Sequence, residues 1–495
     1  MLTVKRWYAL AALVLCGLVI GLDGTVLNVA LATLSADLGA TTGELQWIVA
    51  AYLVTFSVFL LPAGAAGDRW GRKRLLLAGV ALFGASSALA AFATDAATLI
   101  AARAVMGVGA AIILPLSMST LPVIFAENER SRAISVWTVG LALGLPLGPV
   151  VGGWLLENYW WGSVFLINIP VAAIAIAAGA VLLPESRDPS PSRLDVWSML
   201  LSMTGLGLLV YGVIEAPVAG WGSAKVLATI GTGMVALVLF WFRDSLGTRR
   251  LFENKQFTSG TIATALSALA LMGVLFVLPL RLQAVDGYTA MGTGLRLIPL
   301  IAGLMVTGKL AERLIARLGH RVVITCGMLL LSAGFLIGSF TRGYPMTAAW
   351  LFLAGLGLGA AMVPAMDAVL AALPPERAGA GSALVQTLRQ VAGAFGVAGL
   401  GSLLNSVYGA RLPANAPESA RESIVAAVRD PSLAAAAREA FLSGMDSVLI
   451  ACAAGAFLGA VIVAVFFRAS APAAVQQPDD PQRQLHPAGS APEGQ

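Results

Sequence analysis

Long apolar runs, parted by short polar connections, account for most of the chain. A helix needs about 20 apolar residues to cross a bilayer. Fourteen runs of that kind occupy residues 8–31, 45–66, 74–93, 97–120, 133–156, 162–183, 194–215, 223–242, 258–282, 290–310, 321–340, 346–371, 380–408 and 444–467. The pattern predicts an all-α, polytopic membrane protein with 14 transmembrane helices. Two stretches fall outside it. Residues 409–443 are Ala-rich with charges at helical spacing, which predicts a short amphipathic helical hairpin on the outer face. Residues 468–495, rich in Pro, Gln and Ala, predict a disordered cytoplasmic tail.

The polar connections carry an orientation signal. With the N-terminus inside, the cytoplasmic segments hold 21 of the 31 Lys and Arg, among them Lys5, Arg6, Arg69, Arg72, Lys73 and Arg74, against 7 in the outer loops. That bias predicts a multi-pass protein of the cytoplasmic (inner) membrane with both termini in the cytoplasm. Lys5 and Arg6 ahead of an apolar run could also open a signal peptide. The run is too long for one and contains an ionisable residue, so an uncleaved first span is expected.

The chain also repeats itself. DRWGRK at 68–73 is echoed by ARLGHR at 316–321, an offset of 248, and Glu129-Arg130-x-x-Ala133-x-Ser135 by Glu376-Arg377-x-x-Ala380-x-Ser382, an offset of 247. MGVGAA at 106 is likewise echoed by LGLGAA at 356. Two pseudo-symmetric six-helix bundles follow, at 1–183 and 258–467, with two inserted helices and their linkers at 184–257. Repeated halves around a midplane cavity are the architecture of secondary transporters.

Composition sharpens the class and removes several others. The chain is 58% hydrophobic and 12% charged, with a mean hydropathy of +0.84, where soluble domains carry about 25% charged residues. A formal charge of +5 would suggest a nucleic-acid partner in a soluble protein; here basic residues serve orientation, and no nucleic-acid site is expected. Cys16, Cys326 and Cys452 lie in apolar stretches without metal-ligand neighbours, and His320 and His486 stand apart, so neither a disulfide framework nor a metal site is expected. Gly355, Gly357 and Gly359 mimic a dinucleotide loop but sit inside an apolar span. Gly308-Lys309 lacks the other residues of a phosphate-binding loop. No catalytic cluster gathers at either interface. The chain is not read as an enzyme, and no cofactor beyond a proton gradient is expected.

Residues 140–153, GLALGLPLGPVVGG, run against helix propensity. Gly140, Gly144, Gly148 and Gly152 recur every four positions and so share one helical face, while Pro146 and Pro149 each remove an internal hydrogen bond. In lipid, small residues let helix backbones approach closely and neighbours re-satisfy the freed groups. The segment is expected to be a closely packed hinge in a moving membrane protein.

GAAGDRWGRK at 64–73 resembles the signature between spans two and three of the major facilitator superfamily. LDGTVLNVAL at 22–31, the Arg103-x-x-x-Gly107-x-Gly109 pattern, the Gly/Pro segment, FLINIP at 165–170 and LRQVAGAFGVA at 388–398 resemble its fourteen-span drug:proton antiporters. The resemblance covers residues 8 to 467. It implies export rather than import, on the Gly/Pro segment of the fifth span.

Asp23 is the first candidate for chemistry, because an acid within a span costs about 2.5–3.5 kcal/mol on insertion scales. It lies roughly 12 Å from the outer end of span one and Arg103 roughly 9 Å into span four from the same side, at 1.5 Å per residue. The two can pair. Asp23 is expected to carry the coupling proton, with burial and Arg103 pulling its proton affinity in opposite senses as the cavity opens and closes. The competing reading is a static ion pair that only holds spans one and four together. Asp367 is a weaker third member of the proton-coupling set, close enough to the inner end of span twelve to snorkel. Asp68, Arg69, Gly71, Arg72 and Lys73 form a cytoplasmic gate, with Gly71 permitting the tight turn. Asn28, Gln46, Tyr52, Trp137, Met362, Met366 and Gln386 are candidates for the substrate-binding wall, together with Arg389 near the midplane of span thirteen. Interhelical packing is the bland alternative for each of them.

These readings converge on a proton-coupled antiporter that exports small amphipathic drugs or toxic compounds by alternating access, in the bilayer and as a monomer. A dedicated exporter of one antibiotic or metabolite is the alternative, and a non-transport membrane protein a more remote one. Spans ten and thirteen carry Arg296 and Arg389 and no acid, a balance poorly suited to strongly cationic cargo.

Overall fold

The computed structural model describes residues 3–187, 195–243, 251–373 and 378–467. The tail expected at 468–495 lies outside the described residues, as do the connections at 188–194, 244–250 and 374–377. In the first half stand α1 (Thr3–Asp37), α2 (Thr42–Trp70), α3 (Arg72–Ala91), α4 (Ala96–Ile124), α5 (Glu127–Asn158) and α6 (Ser163–Leu182). The inserted pair is α7 (Val196–Ala219) and α8 (Ala224–Arg243). The second half holds α9 (Lys255–Leu280), α10 (Ala290–Thr307), α11 (Arg313–Phe340), α12 (Tyr344–Ala371), α13 (Ala378–Phe395) and α14 (Ala434–Phe466). Thirteen candidate spans among the described residues have the length and hydropathy to cross a membrane. The further helix, α5, packs along α1.

Local chemistry sets the helix ends. Thr41 and Glu44 form a reciprocal capping box at the start of α2, and Asp95 caps α4 by accepting from the Thr98 amide, which holds its carboxyl below the usual range. Asn254 and Thr289 cap α9 and α10 in the same way. Gly71 turns the chain between α2 and α3 at φ +114, and Gly319, 248 residues later, kinks it near the start of α11 at φ +77. Both backbones lie where a side chain would be strained. The internal repeat of the sequence is therefore a repeat of structure at this turn.

α1 to α6 pack on one another, as do α9 to α14. The α7–α8 pair docks on α2 of one half and on the continuation of α13 in the other, while α8 turns Leu227, Val235, Leu239 and Phe242 outward, as a lipid-facing helix does. The stretch 409–443 forms short helices at Glu418–Glu422 and Ile424–Arg429, which bury Ala420, Ile424 and Ala427. Thr42 Oγ1 donates to the Glu422 carbonyl at 2.7 Å and the Ser35 and Ser423 hydroxyls lie 2.9 Å apart, so this cap touches both halves. It marks one end of the molecule, the Thr41 end; the turns at Gly71 and Gly319 mark the other, the Gly71 end.

Candidate transport site and gates

Four helices of the first half converge on one buried ion pair. Asp23 is 0% and Arg103 1% exposed, with Nη1 2.6 Å from Oδ2. Arg103 Nε donates to the Ile48 carbonyl at 3.1 Å, and the guanidinium lies 4.3 Å from the centre of the Tyr52 ring. Asn168 Nδ2 donates to Asp23 Oδ1 at 3.3 Å and to Ser87 Oγ at 3.0 Å, and Ser87 donates on to the Phe165 carbonyl. Burying two charges costs several kcal/mol each unless geometry and further hydrogen bonds compensate. Here both oxygens of the carboxylate and two sides of the guanidinium are engaged. The attraction between these two charges joins α4 to α1 at this point.

Asn168 and Ser87 escaped the sequence reading, although Asn168 stands in the FLINIP stretch. An amide in an apolar run signals that a partner exists; it does not say which. Asn168→Leu leaves Asp23 Oδ1 without its donor and is expected to cost about 1–3 kcal/mol. The readout is the melting temperature of the purified protein, and an unchanged value would contradict the network.

At the Gly71 end the basic motif closes on its own half. Asp68 accepts from Arg72, Nε to Oδ1 at 2.9 Å, and Arg72 Nη1 reaches the Ser119 carbonyl at 3.4 Å. Lys73 Nζ donates to the Ala180 carbonyl at 2.6 Å, while Arg69 is exposed. Glu185, which the sequence left unremarked, accepts from the Lys73 amide at 3.1 Å and lies so close that a Cβ at Gly71 would stand 2.7 Å from its Oε1. Asp367 is elsewhere: its carboxylate is 65% exposed and 2.8 Å from His320 Nε2. It does not join Asp23 and Arg103, and His320, expected to stand apart, is its partner.

The glycines of α5 do share one face, and that face meets α1. A Cβ on Gly144 would overlap the backbone of Gly21, one on Gly148 would overlap Thr25, one on Gly140 would overlap Val14, and one on Gly152 would lie 2.6 Å from Val26 Cγ2. The approach lets Thr25 Oγ1 donate to the Gly144 carbonyl at 3.2 Å. The adjacent face meets the other half: Gly294 of α10 lies against the Pro149 carbonyl, and a Cβ at Gly153 would stand 2.6 Å from Met291 Cα. The side chain of Pro146 lies outside the described residues.

The halves are joined at the Thr41 end. Gln46 Nε2 donates to the Ala398 and Val397 carbonyls at 2.9 and 3.2 Å, where α13 continues as a π-helical turn, Gly396–Leu400. Gln283 Nε2 donates to the Val29 carbonyl at 2.7 Å. With Gln46 Nε2 to Ser402 Oγ at 3.4 Å, Ser35–Ser423 and Thr42–Glu422, these are the hydrogen bonds between the two halves among the described residues. Gln46 and Gly294 are themselves 248 residues apart, so the same point of the repeat is a polar link on one side and a glycine contact on the other.

Several expected wall residues are packed away in this arrangement. Gln46 is 1% exposed in the seal just described, Tyr52 2% exposed against Arg103, and Trp137 5% exposed in the α1–α5 seam beside Gly17. Asn28 is buried and turns its amide to its own helix at Gly24. Depth alone did not reveal that these polar groups were engaged by neighbouring helices. Met362, Met366, Gln386 and Arg389 are only half-buried.

A family model, the Major Facilitator Superfamily, matches residues 13–397. The chain belongs to that superfamily. Among curated superfamily relatives, it is 31% identical to a tetracenomycin C resistance and export protein of Streptomyces glaucescens, over 94% of this chain and 93% of that one. It is 33% identical to the multidrug efflux pump LfrA of Mycolicibacterium smegmatis, over 94% and 97%, and 35% identical to the methyl viologen resistance protein SmvA of Salmonella typhimurium, over 85% and 87%. In fold it is similar to an inward-facing, unoccupied bacterial homologue of the lysosomal transporter Spinster, with a TM-score of 0.67 at 16% identity, over 94% of this chain and 98% of that one. A D-xylose–proton symporter gives 0.64 at 15%, over 94% and 98%. This superfamily member is an integral, multi-pass membrane protein.

Proposed function

We propose that this transporter exports small amphipathic compounds in exchange for protons, with Asp23 as the proton site. The observation that carries the reading is the Asp23–Arg103 pair, 2.6 Å apart and sealed where α1, α2, α4 and α6 meet. A ligand moves a conformational equilibrium only through differential affinity, and a proton on Asp23 changes the attraction between α1 and α4 directly. The relatives named for export and resistance support the outward direction. Drug-induced proton movement in everted membrane vesicles tests it; cargo movement without any proton flux would refute it.

The basic-residue bias supports an orientation with the Gly71 end and both termini in the cytoplasm. In that orientation the chain is sealed toward the outside, with no hydrogen bond joining the halves at the cytoplasmic end among the described residues. This is the state that would receive cargo from the cytoplasm. The Gln46 link then acts as an outer latch. Gln46→Leu removes the side-chain donor from two carbonyls that keep the Gly401 amide, at about 0.5–1.5 kcal/mol, and is expected to shift the population toward the outward-open form. Labelling of a cysteine placed at Thr293, buried on α10 with a hydroxyl that has no partner, by an impermeant reagent from outside should rise severalfold; unchanged labelling would count against the latch.

A further inference from the structure

One polar stripe is unused by the ion pair and the seals. Gln386, Arg389 and Gln390 recur on α13 at helical spacing, and Gly393 continues that face one turn on. At Gly393 the face lies where the halves meet: a Cβ would stand 3.8 Å from Leu53 of α2 in the opposite half and 3.1 Å from Met272 of α9 in its own. The stripe is thus turned toward the junction of the halves, and its polar members lie on the Gly71 side of the point where that junction closes. Gln386, Arg389 and Gln390 are half-buried. None of them makes a hydrogen bond or ion pair among the described residues, and their polar atoms are not sealed off as the Trp137 indole nitrogen is. Each keeps part of its surface accessible, so the stripe borders a gap in the packing.

The charges around that space are one-sided. Asp23 is enclosed and bound to Arg103, Asp367 is held by His320 at the Gly71 end, and Asp446 of α14 and Glu215 of α7 are bound to Arg342 and Lys225 at the other. Glu44 of α2 is spent on its capping box, and Lys255 at the start of α9 adds no negative charge. Arg389 therefore presents an unmatched cation in a low-dielectric setting, with five N–H donors of its own and the amides of Gln386 and Gln390 beside it. A planar acceptor group fits that fork, and a second cation is repelled by it.

We infer that Arg389 reads the charge of the cargo: the cavity takes amphipathic compounds carrying a carboxylate, phenolate or comparable acceptor group, and disfavours dications. This rests on the exporter reading for its direction only, since charge preference is a property of binding. The test is fluorescence anisotropy of the purified full chain with two xanthene dyes of similar shape, fluorescein as the anion and rhodamine 6G as the cation, with methyl viologen as competitor. Wild type is expected to bind fluorescein at least tenfold more tightly than rhodamine 6G, with methyl viologen displacing neither. Arg389→Gln should erase that preference and Arg389→Lys keep part of it, rhodamine 6G binding by the variants reporting that they are folded. Equal or tighter binding of the cation by wild type overturns the inference, as does a preference that survives in Arg389→Gln. Anion preference without proton-driven uptake of either dye would instead sink the exporter reading and leave this one standing.

Discussion

Asp23→Asn is expected to abolish proton-coupled export, lowering drug-induced proton movement in everted vesicles by at least a hundredfold, while the protein still inserts. Asparagine offers an acceptor to Arg103 but cannot take up and release a proton. It also leaves the 1%-exposed guanidinium without a counter-charge, and breaking one side of a buried pair costs about 3–5 kcal/mol. A lower melting temperature should therefore accompany the loss of coupling. The double variant Asp23→Asn, Arg103→Met separates the carrier from a static pair. Removing both charges relieves the uncompensated cation, so stability should return toward wild type. If the pair only holds α1 to α4, transport returns as well; if Asp23 carries the proton, it does not.

The second large effect belongs to the α1–α5 seam, and the structure ranks its glycines. A Cβ at Gly144 would meet backbone atoms of Gly21 and Leu22, and one at Gly148 would meet Thr25 and the Val26 amide nitrogen, whereas Gly140 faces only the side chain of Val14. Backbone on a helix cannot step aside unless the whole helix does. Gly144→Ala should thus cost about 1–3 kcal/mol as an overpacked contact, and Gly144→Val should reduce transport more than tenfold with protein still in the membrane. Gly140→Ala should cost less, since a side chain and not backbone stands in its way. Flux and membrane abundance measured together decide the order, and a Gly140 variant worse than its Gly144 counterpart would contradict the seam. Gly153→Val presses on α10 instead. It should hinder closure between the halves rather than packing within one.

Much of the fold was legible because lipid imposes simple requirements on sequence. Apolar runs of spanning length reappear as helices, and the echo of DRWGRK in ARLGHR reappears as two glycine turns with positive φ. Counting residues inward from the same membrane face brought Asp23 and Arg103 to one depth, and they are in contact. What depth cannot supply is rotation. In a bundle whose helices are apolar on most sides, little contrast between faces tells which way a polar residue turns. Asn168 and Ser87 joined the ion pair unannounced, Gln46 turned to the carbonyls of a π-helical turn, and Trp137 turned into the α1–α5 seam. His320 and Asp367 illustrate the same limit from the other direction: 47 positions apart, they meet because two helix ends converge at the Gly71 end. The π-helical turns at Arg281–Val285 and Gly396–Leu400 have no signal in hydropathy. One lies where α9 donates to α1, and the other where α13 accepts from α2.

Proton-linked exchange between two arrangements of the halves is the central claim, and reconstitution tests it most directly. Purified protein in liposomes, loaded with a fluorescent cargo it binds, is followed under an imposed pH gradient, with the gradient collapsed, and with the gradient reversed. The account predicts cargo movement opposite to the proton gradient, slowing to leak when the gradient is collapsed and changing sign when it is reversed, with Asp23→Asn indistinguishable from leak throughout. Equal rates and the same direction under all three conditions, or a gradient-driven Asp23→Asn variant, would contradict it.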